Sequence, residues 1–170
     1  MPRYVAFLRA VNVGGTGKLP MADLRDICAK LGFADVKTYI ASGNVVFDWS
    51  GDADAAASAL EAALLAYAGK PVGVMVRTGA EMARIVADTP FPDAPGNKVV
   101  VMLLKAPPPA DMMAGVKGQK DEVIVPGTRE IYVHYPDGQG PSKLVIAAAA
   151  EGTARNFNTI TKMADWLASD

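Results

Sequence analysis

Apolar residues recur along this chain in two rhythms, and the switch between them predicts the elements. Tyr4 to Val11 is a nearly continuous apolar run broken by Arg9, the pattern of a strand buried on both faces. A glycine-rich loop, Asn12 to Lys18, follows it. Leu24, Ile27, Cys28 and Leu31 then fall at i, i+3, i+4 and i+7, which predicts an amphipathic helix over Ala22–Leu31. Gly32 stands where a left-handed C-terminal cap belongs. Val36–Ala41 and Val45–Trp49 are β-rich runs joined by Ser42-Gly43-Asn44, a three-residue hairpin connection. Leu60, Leu64 and Tyr67 share one side of an alanine-rich helix over Asp52–Ala68, closed by Gly69, and Val72–Arg77 is another strand.

The second half repeats that order. Thr78-Gly79-Ala80-Glu81 has capping-box spacing ahead of a short helix with Met82, Ile85 and Val86. Pro90, Pro92 and Pro95 stop it and form a rigid connector. Lys98–Lys105 has the character of the first strand, and Pro107-Pro108-Pro109 opens a short helix holding Met112, Met113 and Val116. Glu122–Val125 and Glu130–Tyr135 form a hairpin around Pro126-Gly127. Ser142 is expected to cap a helix over Lys143–Ala150, and Ile160, Met163, Trp166 and Leu167 line one face of a last helix. Strand, helix, strand, strand, helix, read twice, predicts an α+β fold of two tandem ferredoxin-like βαββα units, with antiparallel sheets and helices packed on them. Residues 1–170 are expected to form a single compact domain, with pseudo-duplicated halves 1–89 and 97–170 joined by a proline-rich connector, 90–96.

Composition narrows the chemistry. Of 170 residues, 51% are hydrophobic and 21% charged, ample for a core. The formal net charge of −1 excludes a globally basic nucleic-acid surface and leaves only a local patch. One cysteine, Cys28, allows no internal disulfide framework, and its place on an apolar stripe predicts a buried, inert thiol. With one Cys and one His, a soft-metal site lacks ligands. No metal and no cofactor are expected. No run approaches the ~20 apolar residues of a membrane span, and Arg3 and Arg9 do not suit a cleavable signal. The expected location is the cytoplasm, with no membrane partner.

The motifs have to be weighed one by one. Gly14-Gly15-Thr16-Gly17-Lys18 invites comparison with a P-loop, but Asn12 and Leu19 break that pattern at both ends. What survives is a flexible loop with backbone N–H groups and Lys18, able to cradle an anion or serve as an ordinary connection. Ser42-Gly43-Asn44 is turn chemistry before anything else. His134 shares a strand face with Tyr132 and Glu130, and no nucleophile adjoins it in sequence. Asp48, Asp52 and Asp54 gather at a helix start, where they favour the helix dipole. The densest polar cluster is Gly152-Thr153-Ala154-Arg155-Asn156-Phe157-Asn158-Thr159, just where the last helix begins. Asn156, Asn158 or Thr159 suffices as a cap. Arg155 adds a planar fork suited to phosphate or carboxylate, so capping and anion binding both remain open.

Taken together, Tyr4–Gly15, Pro20–Leu24, Thr38–Phe47, Ser142-Lys143-Leu144 and Thr153–Thr159 make the chain similar to the bacterial domain-of-unknown-function 1697 (DUF1697) family over nearly its whole length. Ala10 stands where that family usually has Gly, and Phe157 where it usually has Trp. The resemblance implies the α+β fold of two ferredoxin-like halves, and it implies no activity. It adds weight to Arg9, Asn12, Ser42, Gly43, Asn44, Lys143, Arg155, Asn156, Asn158 and Thr159, which belong to its motifs; Lys18 comes from the glycine loop.

The functional expectation is a non-catalytic module binding a small anion, a nucleotide or a nucleic-acid fragment. Its polar cleft would be framed by Arg9 and Asn12, the Ser42–Asn44 turn and the start of the last helix. Two alternatives stand beside it. One is an enzyme acting on a phosphorylated or carboxylated metabolite, for which no acid/base pair is apparent. The other is a structural or oligomeric interface built on Phe157 and Trp166.

Overall fold

The computed structural model describes residues 2–9, 19–40 and 43–168. The chain divides into two compact units, one formed by Met1–Arg84 with Met163–Asp170 and the other by Ile85–Lys162.

In the first unit, β1 (Arg3–Leu8) is followed by α1 (Met21–Lys30), β2 (Ala34–Tyr39), β3 (Asn44–Asp48), α2 (Ala53–Ala68) and β4 (Val74–Thr78). The sheet order is β2-β3-β1-β4, every pairing antiparallel. β1 is central, and five of its six residues are buried, as its unbroken apolar run requires. Tyr4, Ala6 and Leu8 project from one face into a core closed by Leu24 and Cys28 of α1 and by Leu60 and Leu64 of α2. Phe33 stacks on Phe47 at 4.1 Å within that core. The Asp52 carboxylate accepts the Ala55 N–H at 2.8 Å to start α2, and Gly69, at φ 73°, ends it in the left-handed region. Burial pushes the Cys28 thiol up to about 12, so the thiolate that reacts is scarce.

α3 (Gly79–Ala87) starts with a reciprocal capping box. The Thr78 N–H donates to Glu81 Oε1 at 3.0 Å, and the Glu81 N–H to Thr78 Oγ1 at 3.1 Å. In the second unit come β5 (Val99–Leu103), β6 (Val116–Lys117), β7 (Val123–Pro126), β8 (Glu130–His134), β9 (Val145–Ile146) and β10 (Thr153–Asn156); α4 (Phe157–Ala168) begins in this unit, and its residues from Met163 on are counted with the first. Its main sheet runs β10-β5-β8-β7, again all antiparallel, and β6 pairs with β9 alone. Numbered along each unit's own chain, both four-stranded sheets have the order 2-3-1-4.

Two helices expected in this half are absent. Met112–Gly115 is a single 3-10 turn, and Val116 is already strand. The residues Lys143–Ala150 form β9 and a 3-10 turn over Ala147–Ala149, because Val145 and Ile146 pair with Lys117 and Val116. Ser142 caps no helix; its hydroxyl donates to the Glu122 carboxylate. Tertiary pairing has overridden the helix propensity of four consecutive alanines. The core beneath this covering is built on Val100, Ile131, Val133, Tyr135 and Ile146. Among the described residues no helix is long and apolar enough to cross a membrane.

Candidate functional site

In the first unit, the end of β1 and the β2–β3 hairpin meet. The Leu8 N–H donates to the Gly43 carbonyl at 2.9 Å, and Phe7 lies opposite Asn44 in the β1–β3 register. This brings Arg9, Gly43 and Asn44 to one end of the sheet. Arg9 is exposed, and its backbone N–H is held by the Gly73 carbonyl at 2.8 Å. Asn44 is wholly buried, and its carboxamide donates to the Tyr39 carbonyl at 2.8 Å across the turn. Between them Ile40 has φ 51° and is 52% exposed. A β-branched residue in the left-handed region is an outlier that costs on the order of 1–3 kcal/mol. Fixed bonds on both sides hold it there. Asn12, Lys18 and Ser42 lie outside the described residues.

The stretch from Gly152 to Thr159 belongs to the second unit and serves two elements. Thr153–Asn156 is strand β10, with Arg155 opposite Val101 of β5, so its side chains alternate inward and outward. Thr153 and Arg155 are buried while Ala154 and Asn156 are exposed. Arg155 Nη1 donates to Thr153 Oγ1 at 2.8 Å and to the Ala154 carbonyl at 2.9 Å. Burial pulls its pKa down to about 10, which leaves it protonated at neutral pH. Asn156 Oδ1 accepts the Thr159 N–H at 2.9 Å, so Asn156 is the N-cap of α4. Thr159 is buried, and the exposed Asn158 packs so closely on Gly96 that a Cβ at that glycine would overlap its carboxamide.

Lys143 lines a different cleft of the second unit, of about 160 Å³, with Lys120, Glu122, Tyr135, Asp137 and Ser142. Here Glu122 organises two loops. Its carboxylate accepts the Ser142 hydroxyl and, at 2.6 Å, the Lys120 N–H. The Ser142 bond first, and the Lys120 N–H second, hold this carboxyl below the usual range. Tyr135 is 3% exposed, and burial, with the Glu122 charge behind it, raises its pKa. Nothing in the one-dimensional pattern flags this cluster, because Glu122 and Ser142 are distant in sequence and Ser142 reads as a helix cap.

Other buried charges also escape a sequence reading. Arg77 is 1% exposed, and Glu130, fully buried, accepts the Thr128 and Arg129 N–H groups. His134 is partly packed, with the Phe91 ring at 5.3 Å. No group of three or more His, Cys, Asp or Glu among the described residues could hold a metal.

Helices, antiparallel four-stranded sheets and polar strand ends define an α+β protein. More particularly, the chain belongs to the family described as "Protein of unknown function (DUF1697)", whose sequence model matches residues 1–132. The match ends before Lys143 and the 153–159 stretch. The structure is similar to that of the conserved bacterial protein SP0830 from Streptococcus pneumoniae, with a TM-score of 0.79 and 21% identity, over 98% of each chain. At that identity the likeness is one of fold. No curated protein matches the sequence.

Proposed function

We infer that the protein is a non-catalytic module that binds a small phosphate-bearing anion, such as a nucleotide or nucleic-acid fragment, at the β1 end of the first unit. One observation carries this reading. An exposed arginine stands beside a hairpin whose exposed Ile40 lies in the left-handed region next to the Asn44–Tyr39 and Leu8–Gly43 hydrogen bonds. Strain of this kind persists only where the surroundings enforce it, and it gathers at ligand clamps. Arg9 supplies the fork that phosphate oxygens take in pairs. Asn12, Lys18 and Ser42 flank these positions in sequence and join them in the proposed site. Arg155 and Asn156 belong to the second unit, where Arg155 is buried on its own strand and Asn156 is engaged as a cap. The equal order of the two sheets supports reading the chain as a duplicated ferredoxin-like unit, halves 1–89 and 97–170 around the connector 90–96.

A thermal-shift screen over nucleotides, phosphosugars and short oligonucleotides tests the proposal, since a ligand of the native state raises apparent stability. At least one phosphorylated compound is expected to raise the melting temperature by a few degrees. Arg9→Gln removes that response, while the ligand-free protein still unfolds in one cooperative transition. A response retained in Arg9→Gln, or none to any phosphorylated compound, sinks the reading; turnover of a ligand that binds makes the protein an enzyme instead.

A further inference from the structure

The cleft between the 119–122 and 141–143 loops of the second unit has the marks of a second, separate site. It is small, about 160 Å³. That is well below the ~300 Å³ at which pockets for drug-sized ligands begin, so a nucleotide does not fit inside it. Its lining carries both signs: Lys120 and Lys143 against Asp121, Glu122 and Asp137. A polyanion meets three carboxylates there, and a simple cation meets two ammonium groups. A ligand with one charge of each sign satisfies both.

Two features of the cleft are built. Glu122 is 6% exposed and fixed in place by Ser142 and the Lys120 N–H, and those bonds hold it ionised. Each carboxylate oxygen has a further lone pair available. Tyr135 is 3% exposed and lines the same cleft. Its phenol hydroxyl can donate to a ligand carboxylate. The two loops are also locked together. Gly118, at φ 73°, lies so close to the Lys143 carbonyl that a Cβ there would overlap it, and Gln119 Nε2 donates to the Glu122 carbonyl at 2.8 Å.

We propose that this cleft binds a small zwitterion of free α-amino-acid type, its ammonium group on Glu122 and its carboxylate on the Tyr135 hydroxyl and the Lys143 ammonium. The site is independent of Arg9.

Titration calorimetry of the full chain tests this, with the standard amino acids as probes and propionate, propylamine and inorganic phosphate as controls. At least one amino acid is expected to bind with a dissociation constant of about 1 mM or tighter, while each control binds at least tenfold more weakly, about 1.4 kcal/mol. Tyr135→Phe deletes only the hydroxyl and keeps the buried ring, so it folds; it weakens binding about tenfold, as does Lys143→Gln at an exposed position. Arg9→Gln leaves amino-acid binding unchanged, which keeps this outcome apart from that of the phosphate site. Absence of binding by every amino acid, binding that survives both cleft substitutions, or equal binding of phosphate or propionate overturns the proposal.

Discussion

In the first unit, helices of 10 and 16 residues cover one face of the sheet; in the second, the corresponding covering is made of 3-10 turns and a pair of two-residue strands. Strand order is the same in both. A sheet of given order therefore does not dictate its covering layer, which is set by the connecting segments. Pro107-Pro108-Pro109 lacks the N–H groups a helix needs beyond its first turn, and the β5–β7 connection holds no α-helix. An irregular covering leaves gaps where loops meet, and the cleft under Tyr135 is one of them.

Four measurements test this contrast. The largest effect is expected in the helix-covered core. Phe47→Ala removes a ring stacked on Phe33 and should lower unfolding free energy by about 4 kcal/mol, against about 2 kcal/mol for Met112→Ala in the 3-10 covering. Urea unfolding reads both, and equal losses would mean that the two coverings pack alike. Next come two glycines with the same φ of 73°, one in each unit. Gly69→Ala meets open space and should cost about 1 kcal/mol of left-handed strain. Gly118→Ala adds overlap with the Lys143 carbonyl and should cost about 3 kcal/mol. A cost at Gly118 no greater than at Gly69 would show that the two loops can part freely.

The helix caps should be closer to parity. Asp52→Ala and Asn156→Ala each delete one bond to an N-terminal N–H, and each is expected to lower stability by ~1 kcal/mol in the same assay. A negligible loss at Asn156 would remove its capping role. The smallest effect is pH-dependent and confined to the second unit. Folding lowers the Glu122 pKa, so its contribution is full above the unfolded carboxylate value of about 4.3 and disappears as pH falls through the lower folded one. Between about pH 6 and about pH 3 the wild type should lose more stability than Ser142→Ala, which lacks the bond chiefly responsible. Parallel pH profiles would refute the link.

The same contrast explains what could be read in advance. Alternation and 3.6-residue spacing located the elements of the first unit to within a few residues, because each helix there has an apolar stripe and a capping signal of its own. The Thr78–Glu81 box formed as its spacing predicts. In the second unit Lys143–Ala150 carried strong local helix propensity, and only its pairing with Val116 and Lys117, far off in sequence, made it strand. The Gly152–Thr159 cluster was legible as a helix start, yet the strand that occupies its first half was not, since four residues with two polar inward positions lack an apolar alternation. Of the candidate site, the approach of Arg9 to Gly43 and Asn44 follows from a hairpin beside a central strand. The left-handed Ile40 and the Glu122–Ser142 tie are products of tertiary closure, and no local pattern encodes them.

The first unit is also discontinuous along the chain: it takes in Met163–Asp170 after the whole of Ile85–Lys162 has intervened. Trp166, from that late segment, sets its ring edge-on to Tyr39 at 5.5 Å and lies 3.8 Å beneath the Lys37 ammonium. On the ribosome, the first sheet must therefore wait for its last aromatic until the second unit has left the exit tunnel. Strand β2, at the edge of that sheet, spends the interval with one face uncovered, the kind of exposure that nascent-chain chaperones bind. A stop codon placed after residue 162 would make that waiting state permanent.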